Sequence, residues 1–240
     1  MAMGGPDEWC MLVIGLALQD VRMGVWMVAR APRPAAEAAD PQARIDAQHV
    51  EFSRTDPDRF GAIFDEYFAT IHGYVARRLG ADVADDLAAE TFVTAFRKRA
   101  QFDASRGTVR AWLYGIATKE LSRHRRGEIR LLQALARSVP APSYEGPEDD
   151  LVADRVTAQA WASRLARAIA ELSPGDRDVL LLVALGGLRH DEVSAALGIP
   201  YGTVGSRLNR VRQKLRAELG TGPTDFADNG SHGAGADQDG

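Results

Sequence analysis

Between residues 203 and 216 the chain carries Arg207, Arg210, Arg212, Lys214 and Arg216, and no acid. A second concentration spans residues 119–130, where Lys119, Arg123, Arg125, Arg126 and Arg130 stand against Glu120 and Glu128. Such runs suit one chemistry. Each cation can meet a phosphate oxygen, and a guanidinium can fork onto a guanine edge. Cations near a helix C-terminus also offset the macrodipole. Five bases in twelve residues are more than that requires, so phosphate contact is the favoured reading. A third group is acidic: Asp85, Asp86 and Glu90. Asp86 and Glu90, four apart, share a helix face, where they repel slightly unless a basic partner docks there. As metal ligands the three acids lack a convergent partner from elsewhere, so metal-dependent DNA processing is the weaker alternative. No serine–histidine or cysteine–histidine pair has a context that supports nucleophilic catalysis.

These side chains need rigid elements beneath them. Asp56-Pro57 reads as a helix start, a capping carboxylate followed by a first-turn proline. Phe60, Ile63, Phe64, Tyr67, Phe68, Ile71, Tyr74, Val75 and Leu79 then recur at helical steps. Gly80 ends that helix, and Asp82 is expected to cap the next, whose inward residues are Leu87, Ala88, Thr91, Phe92, Ala95 and Phe96. After the loop at 101–108, a third helix from about Val109 buries Trp112, Leu113, Ile116, Ala117 and Leu121, and its basic face runs on to Arg130.

In the second block a helical pattern ends at Leu172, and Ser173-Pro174 opens a new helix. Gly186-Gly187 stops it. A short helix at about 190–197, a glycine turn, and a long helix at about 201–219 follow. The last buries Val204, Leu208, Val211, Leu215 and Leu219. A short helix and a long basic one joined by a glycine turn make a helix-turn-helix. Thr203, Ser206, Arg207 and Arg210 lie near the start of its second helix, away from the apolar stripe, where base edges and phosphates come within reach.

Composition bounds the rest. The chain has 240 residues, 45% of them hydrophobic, which suits two small cores better than one. Cys10 is the single cysteine, so an internal disulfide is excluded; the five histidines are scattered, which argues against a zinc site. The net charge of −4 hides its distribution. Residues 58–137 carry 14 bases against 10 acids and residues 173–219 carry 7 against 5, while the flanking stretches are acidic. The apolar run from Trp9 to Leu18 is too short for a bilayer span, which needs about 20 residues. It reads as an extension rather than an anchor or signal peptide.

The expected fold is therefore all-α: two small helical domains joined by a flexible acidic linker, the second a helix-turn-helix. The expected domains are 57–137 and 157–219, with the linker at 138–156. Residues 1–56 are expected to form a disordered extension and 220–240 a disordered tail.

In this order the two blocks resemble an extracytoplasmic-function sigma factor of the sigma-70 family, a bacterial subunit that directs RNA polymerase to promoters. The first block is similar to its promoter-melting and core-binding domain through Asp86-Leu87-Ala88-Ala89-Glu90-Thr91-Phe92, Arg110-Ala111-Trp112-Leu113-Tyr114-Gly115-Ile116-Ala117 and Ser122-Arg123-His124-Arg125-Arg126. The second is similar to its upstream-element domain through Leu172-Ser173-Pro174-Gly175, Asp191-Glu192-Val193 and Gly202-Thr203-Val204-Gly205-Ser206-Arg207-Leu208. Each motif alone is modest; both, at this separation, are specific.

The resemblance implies that Asp86, Leu87, Glu90 and Phe92 fall at the core-polymerase interface. It places Lys119, Arg123, Arg125 and Arg126 toward the minus-ten element, residues 101–108 where a flipped base is captured, and Thr203, Ser206, Arg207 and Arg210 at the minus-thirty-five element. It implies a cytoplasmic protein that performs no bond chemistry and needs no cofactor. Its partners would be core RNA polymerase and promoter DNA, with a cognate anti-sigma factor as a further candidate. Ala89, Lys119 and Gly205 depart from the residues common in the family, glutamine, asparagine and a base respectively. The rival reading is a stand-alone regulator, but the first block shows no strand–helix alternation for a receiver domain.

Overall fold

The computed structural model describes residues 41–137 and 149–219, which form helices, short 3-10 turns and loops, with no strand among them. This is the all-α architecture read from periodicity. The first half comprises α1 (Pro41–Phe52), α2 (Gly61–Leu79), α3 (Ala84–Lys98), α4 (Val109–Leu121) and α5 (Arg125–Arg137). The second comprises α6 (Asp149–Ala170), α7 (Pro174–Ala184), α8 (His190–Leu197) and α9 (Tyr201–Leu219).

Helices α2, α3 and α4 enclose the first core. Ile63, Ile71, Tyr74, Val75, Leu113 and Leu121 are all but inaccessible to solvent. Tyr74 and Tyr114 meet edge to face at 5.0 Å, and Phe60 meets Phe96 likewise at 5.4 Å. Thr108 caps α4, its Oγ1 accepting from the Ala111 amide at 3.1 Å. In the second half, Ser173 Oγ accepts from the Asp176 amide at 3.3 Å with Pro174 at the first turn, as the sequence predicts. Glu192 Oε2 accepts from the Arg189 amide at 3.0 Å and closes the start of α8. Gly198, at φ 63°, makes the left-handed turn between α8 and α9 that a β-carbon would strain.

Five features differ from the sequence reading. The stretch assigned to a disordered extension forms α1 from Pro41. Val50 is fully buried there, and the buried Asp46 carboxylate accepts a hydrogen bond from the Tyr67 hydroxyl of α2. Arg99 Nε donates to the Ser53 carbonyl at 3.0 Å, and Arg54 Nη2 to the Phe102 carbonyl at 3.1 Å. Residues 1–40 lie outside the described residues.

Asp56 makes no capping bond. It precedes a 3-10 turn (Pro57–Phe60) and accepts from Arg59 Nε at 3.3 Å. Asp82 likewise makes no cap; it lies in a 3-10 turn before α3. The third helix is interrupted by a 3-10 turn at Ser122–His124, which separates α4 from α5. Finally, the acidic linker is helical from Asp149 onward, while 138–148 and the tail at 220–240 fall outside the described residues.

The halves do not stand apart: their buried apolar side chains form one connected cluster. Gly115 lets α4 approach the backbone of α8, since a β-carbon at that position would lie 2.3 Å from the Ala196 carbonyl oxygen. Around this seat runs a set of charges. Arg78 of α2 donates from Nε to Glu128 of α5 at 2.6 Å and from Nη2 to Asp178 of α7 at 2.8 Å. Glu128 also faces Arg177 of α7 at 3.4 Å, and Arg125 faces Asp178 at 3.8 Å. Arg78, Glu128 and Arg177 are at most 4% exposed. Burial works against the Arg78 charge, but Tyr74, Glu128 and Asp178 outweigh it and raise its proton affinity, so it stays cationic. Arg110 adds a bond to the Gly186 carbonyl at 2.6 Å and an ion pair with Glu192 at 3.3 Å.

Candidate nucleic-acid interface

Lys119, Arg123, Arg126 and Arg130 are spaced by four, three and four residues, and all four are exposed. Lys119 stands in the last turn of α4, Arg123 in the 3-10 turn, and Arg126 and Arg130 one turn apart on α5, so the exposed bases form a stripe that follows the chain across the break. Of the two acids counted against them in the sequence, both are buried but only Glu128 pairs away from the stripe. Glu120 is 5% exposed and its Oε2 accepts from Arg123 Nη1 at 2.5 Å; Glu128 is 3% exposed between Arg78 and Arg177. Glu128 is thus neutralised away from the stripe, whereas Glu120 and Glu90 both face Arg123 and offset part of its charge. Arg125 does not join it: it turns toward Asp178 at the seam between the halves.

The loop before α4 is held from within. Phe102 packs on Trp112 at 5.2 Å, and Asp103 accepts from both the amide (2.9 Å) and the hydroxyl (2.7 Å) of Ser105. These two hydrogen bonds hold the Asp103 carboxyl below its ordinary pKa. Gln101, Ala104, Ser105 and Arg106 are exposed, whereas Gly107 abuts Ala195 of α8.

On α3, Asp86 and Glu90 are exposed, with Asp85 and Val93 beside them. Leu87 and Phe92, each 4% exposed, lie beneath this edge as part of the core. Phe64, 40% exposed, meets Phe92 edge to face at 5.1 Å and extends the edge with an apolar surface. Glu90 lies 3.8 Å from Arg123 and Asp85 lies 3.0 Å from His72 Nε2. The acidic edge and the basic stripe are thus neighbours. Among the described residues no cluster of three or more His, Cys, Asp or Glu side chains is placed to hold a metal ion.

The four candidates on α9 divide. Thr203 and Ser206 lie at its accessible start. Arg207 and Arg210 instead brace α9 against α7: Arg207 Nη1 donates to the Gly175 carbonyl at 3.2 Å, and Arg210 Nη2 to Asp176 at 2.9 Å. Burial alone would raise the Asp176 carboxyl; the hydrogen bonds from Arg210 and Ser173 and the two guanidinium charges outweigh it and hold it low. The outward row opposite Val204, Leu208 and Val211 also contains Asn209 and Gln213, both exposed, which the charge-led reading passed over. The helical wheel carries that signal: Arg207 is three residues from Val204 and so flanks the buried stripe, while Asn209 opposes it.

Among the described residues no helix is long and apolar enough to cross a membrane. The family model for sigma-70 region 2 matches residues 63–141, and that for sigma-70, region 4 matches residues 162–215. The ECF RNA polymerase sigma factor RpoE of Cereibacter sphaeroides is 30% identical over 166 residues, covering 68% of this chain and 88% of that protein. The ECF RNA polymerase sigma factor SigW of Bacillus subtilis is 30% identical over 175 residues, covering 70% of this chain and 93% of its own. A solved structure of CnrH in complex with the cytosolic domain of CnrY is similar at 25% identity and a TM-score of 0.48, covering 79% of this chain and 99% of that one. With both regions present in order and relatives matched over most of their length, the chain belongs to the extracytoplasmic-function RNA polymerase sigma factors of the sigma-70 family.

Proposed function

We propose that this sigma factor docks on core RNA polymerase through the α3 edge and opens promoter DNA along the α4–α5 stripe. In this reading Asp86 and Glu90 meet basic groups of the polymerase, while Leu87 and Phe92 hold the edge in place from below. Lys119, Arg123 and Arg126 contact phosphates near the minus-ten element, and Arg125 joins them once it is free of Asp178. The accessible part of residues 101–108 receives a base flipped from the duplex, offsetting an unstacking cost of a few kcal/mol. Thr203 and Ser206 read the minus-thirty-five element, with Arg207 and Arg210 fixing the angle of their helix and supplying phosphate contacts. The protein acts in the cytoplasm with the polymerase and catalyses no bond chemistry itself. CnrH, 31% identical over 149 residues, has been solved with the cytosolic domain of CnrY; an anti-sigma partner is proposed here by the same kinship.

The observation that carries this reading is the exposed run Lys119, Arg123, Arg126 and Arg130, with Glu128 turned inward onto Arg78 and Arg177. Permanganate probing of promoter thymines in the reconstituted holoenzyme tests it. Lys119→Ala combined with Arg126→Ala should reduce minus-ten reactivity severalfold while leaving polymerase association intact. Undiminished opening would count against the stripe.

A further inference from the structure

A loop that receives a flipped base works best when its shape is set beforehand, because ordering it at capture costs conformational entropy. The loop at 101–108 has little regular structure of its own to set that shape. It opens from the 3-10 turn Arg99–Gln101 and closes on Thr108, the cap of α4. Between these ends the Phe102 ring packs on Trp112, and Asp103 closes a short turn with Ser105. A further hold comes from the end of α1. Arg54 donates from Nη2 to the Phe102 carbonyl at 3.1 Å and from Nη1 to Glu51 at 3.1 Å. Arg99 returns the contact, donating from Nε to the Ser53 carbonyl at 3.0 Å. That carbonyl lies at the negative end of α1, where a cation is favoured. Arg99 is itself fixed, with Nη1 donating to the Phe96 carbonyl at 2.7 Å and its guanidinium 3.9 Å over the Phe96 ring.

We infer that α1, which precedes the block carrying the promoter-opening motifs, is a working part of that domain: Arg54, with Arg99, braces residues 101–108 in the shape that accepts a flipped base. Two features suit α1 to this task. It is anchored in the core, because Ser53 is fully buried with Oγ donating to the Val50 carbonyl at 2.6 Å, and Asp46 accepts from Tyr67 of α2 and from Gln42 at 2.9 Å. The brace is also reciprocal: each arginine reaches a backbone carbonyl of the other's segment, so neither segment shifts without breaking a bond. Arg54 is a positioning residue, acting through the Phe102 carbonyl rather than on the nucleotide.

The inference rests on the base-capture reading for its consequence, while the brace itself is measurable in the free protein. Full-length parent, Arg54→Ala and Arg54→Lys are compared, the lysine keeping one donor without the guanidinium fork. Hydrogen exchange follows the amides of Ser105 and Arg106, which donate to Asp103 at 2.9 and 3.0 Å. Arg54→Ala should speed their exchange severalfold and leave core amides of α2 unchanged; Arg54→Lys should fall between. Each protein is then joined to core polymerase and titrated with a single-stranded minus-ten oligonucleotide of a promoter that the parent opens, and with its singly substituted forms. The parent should prefer one base at one position severalfold. Arg54→Ala should lose that preference while keeping its affinity for the least favoured oligonucleotide, and Arg54→Lys should recover part of it. Exchange unchanged in Arg54→Ala, or raised equally in α2, would overturn the brace. Faster loop exchange with the base preference intact would overturn its part in capture. A parent without preference at any position would instead strike the base-capture reading and leave the exchange result standing.

Discussion

Arg126 has its guanidinium in solvent on a stripe shared with Lys119, Arg123 and Arg130. Removing it should subtract one phosphate contact and nothing sequence-specific. Arg126→Ala should weaken holoenzyme binding about equally on all promoters and lower the slope of log affinity against log salt by about 1. Anisotropy titrations at several salt concentrations would show this; a loss confined to certain sequences would mean base reading instead. Asn209 makes the opposite case. An exposed amide opposite the buried stripe of α9 can pair with an adenine edge, so Asn209→Ala should cost ~1–3 kcal/mol at one upstream position, read by competition among singly altered promoters. A uniform response would remove it from the reading surface. At this scale the sequence revealed which residues are charged but not where each points. Glu120 and Glu128 look like neighbours that dilute the stripe; Glu128 turns away because Arg78 and Arg177, about 50 residues to either side, receive it. No local pattern records such a partner.

Helices were legible wherever a long apolar period met a stop signal. Gly80, at φ 94°, ends α2, and Ser173-Pro174 starts α7. Two expected caps, Asp56 and Asp82, failed because 3-10 turns intervene, and α1 was missed because few apolar residues mark it. Its order comes from Asp46, Val50 and Ser53 meeting partners on other elements, which periodicity cannot anticipate. Thr108→Ala should lower stability by about 1 kcal/mol through loss of the α4 cap, measured by urea denaturation. Acid should act on α7 and α9 through Asp176. Its folded-state carboxyl titrates below the ordinary 3.8, so the stability it confers is present above that value and lost as pH falls through the folded one. The ion pair with Arg210 is partly exposed, so the effect is modest, ~0.5 kcal/mol. The denaturation midpoint should hold from neutral pH to about 5 and drop below about 4, and Asp176→Asn should lower the neutral plateau and shrink the drop. An identical acid profile in the variant would show that Asp176 contributes nothing to the drop.

For the molecule as a whole, the order of the two regions and their basic character were legible in the chain, and the comparisons bear out the family they point to. How the halves sit together was not, because Gly115 against Ala196 and Arg78 against Asp178 join elements about 80 and 100 residues apart. The division of the α3 edge was legible, since helical spacing turns Leu87 and Phe92 inward and sets Asp86 and Glu90 on another face, and the structure buries the first pair and exposes the second. Glu90→Lys should therefore reduce co-purification with core polymerase while leaving helix content and melting temperature near those of the parent. Retention of full binding would move the docking surface elsewhere. The central claim is that this polypeptide confers promoter choice on a polymerase that lacks it, and run-off transcription with purified core enzyme on genomic promoter fragments tests it most directly. The account predicts discrete transcripts from particular start sites only when the protein is added; the same non-selective products with and without it would contradict the account.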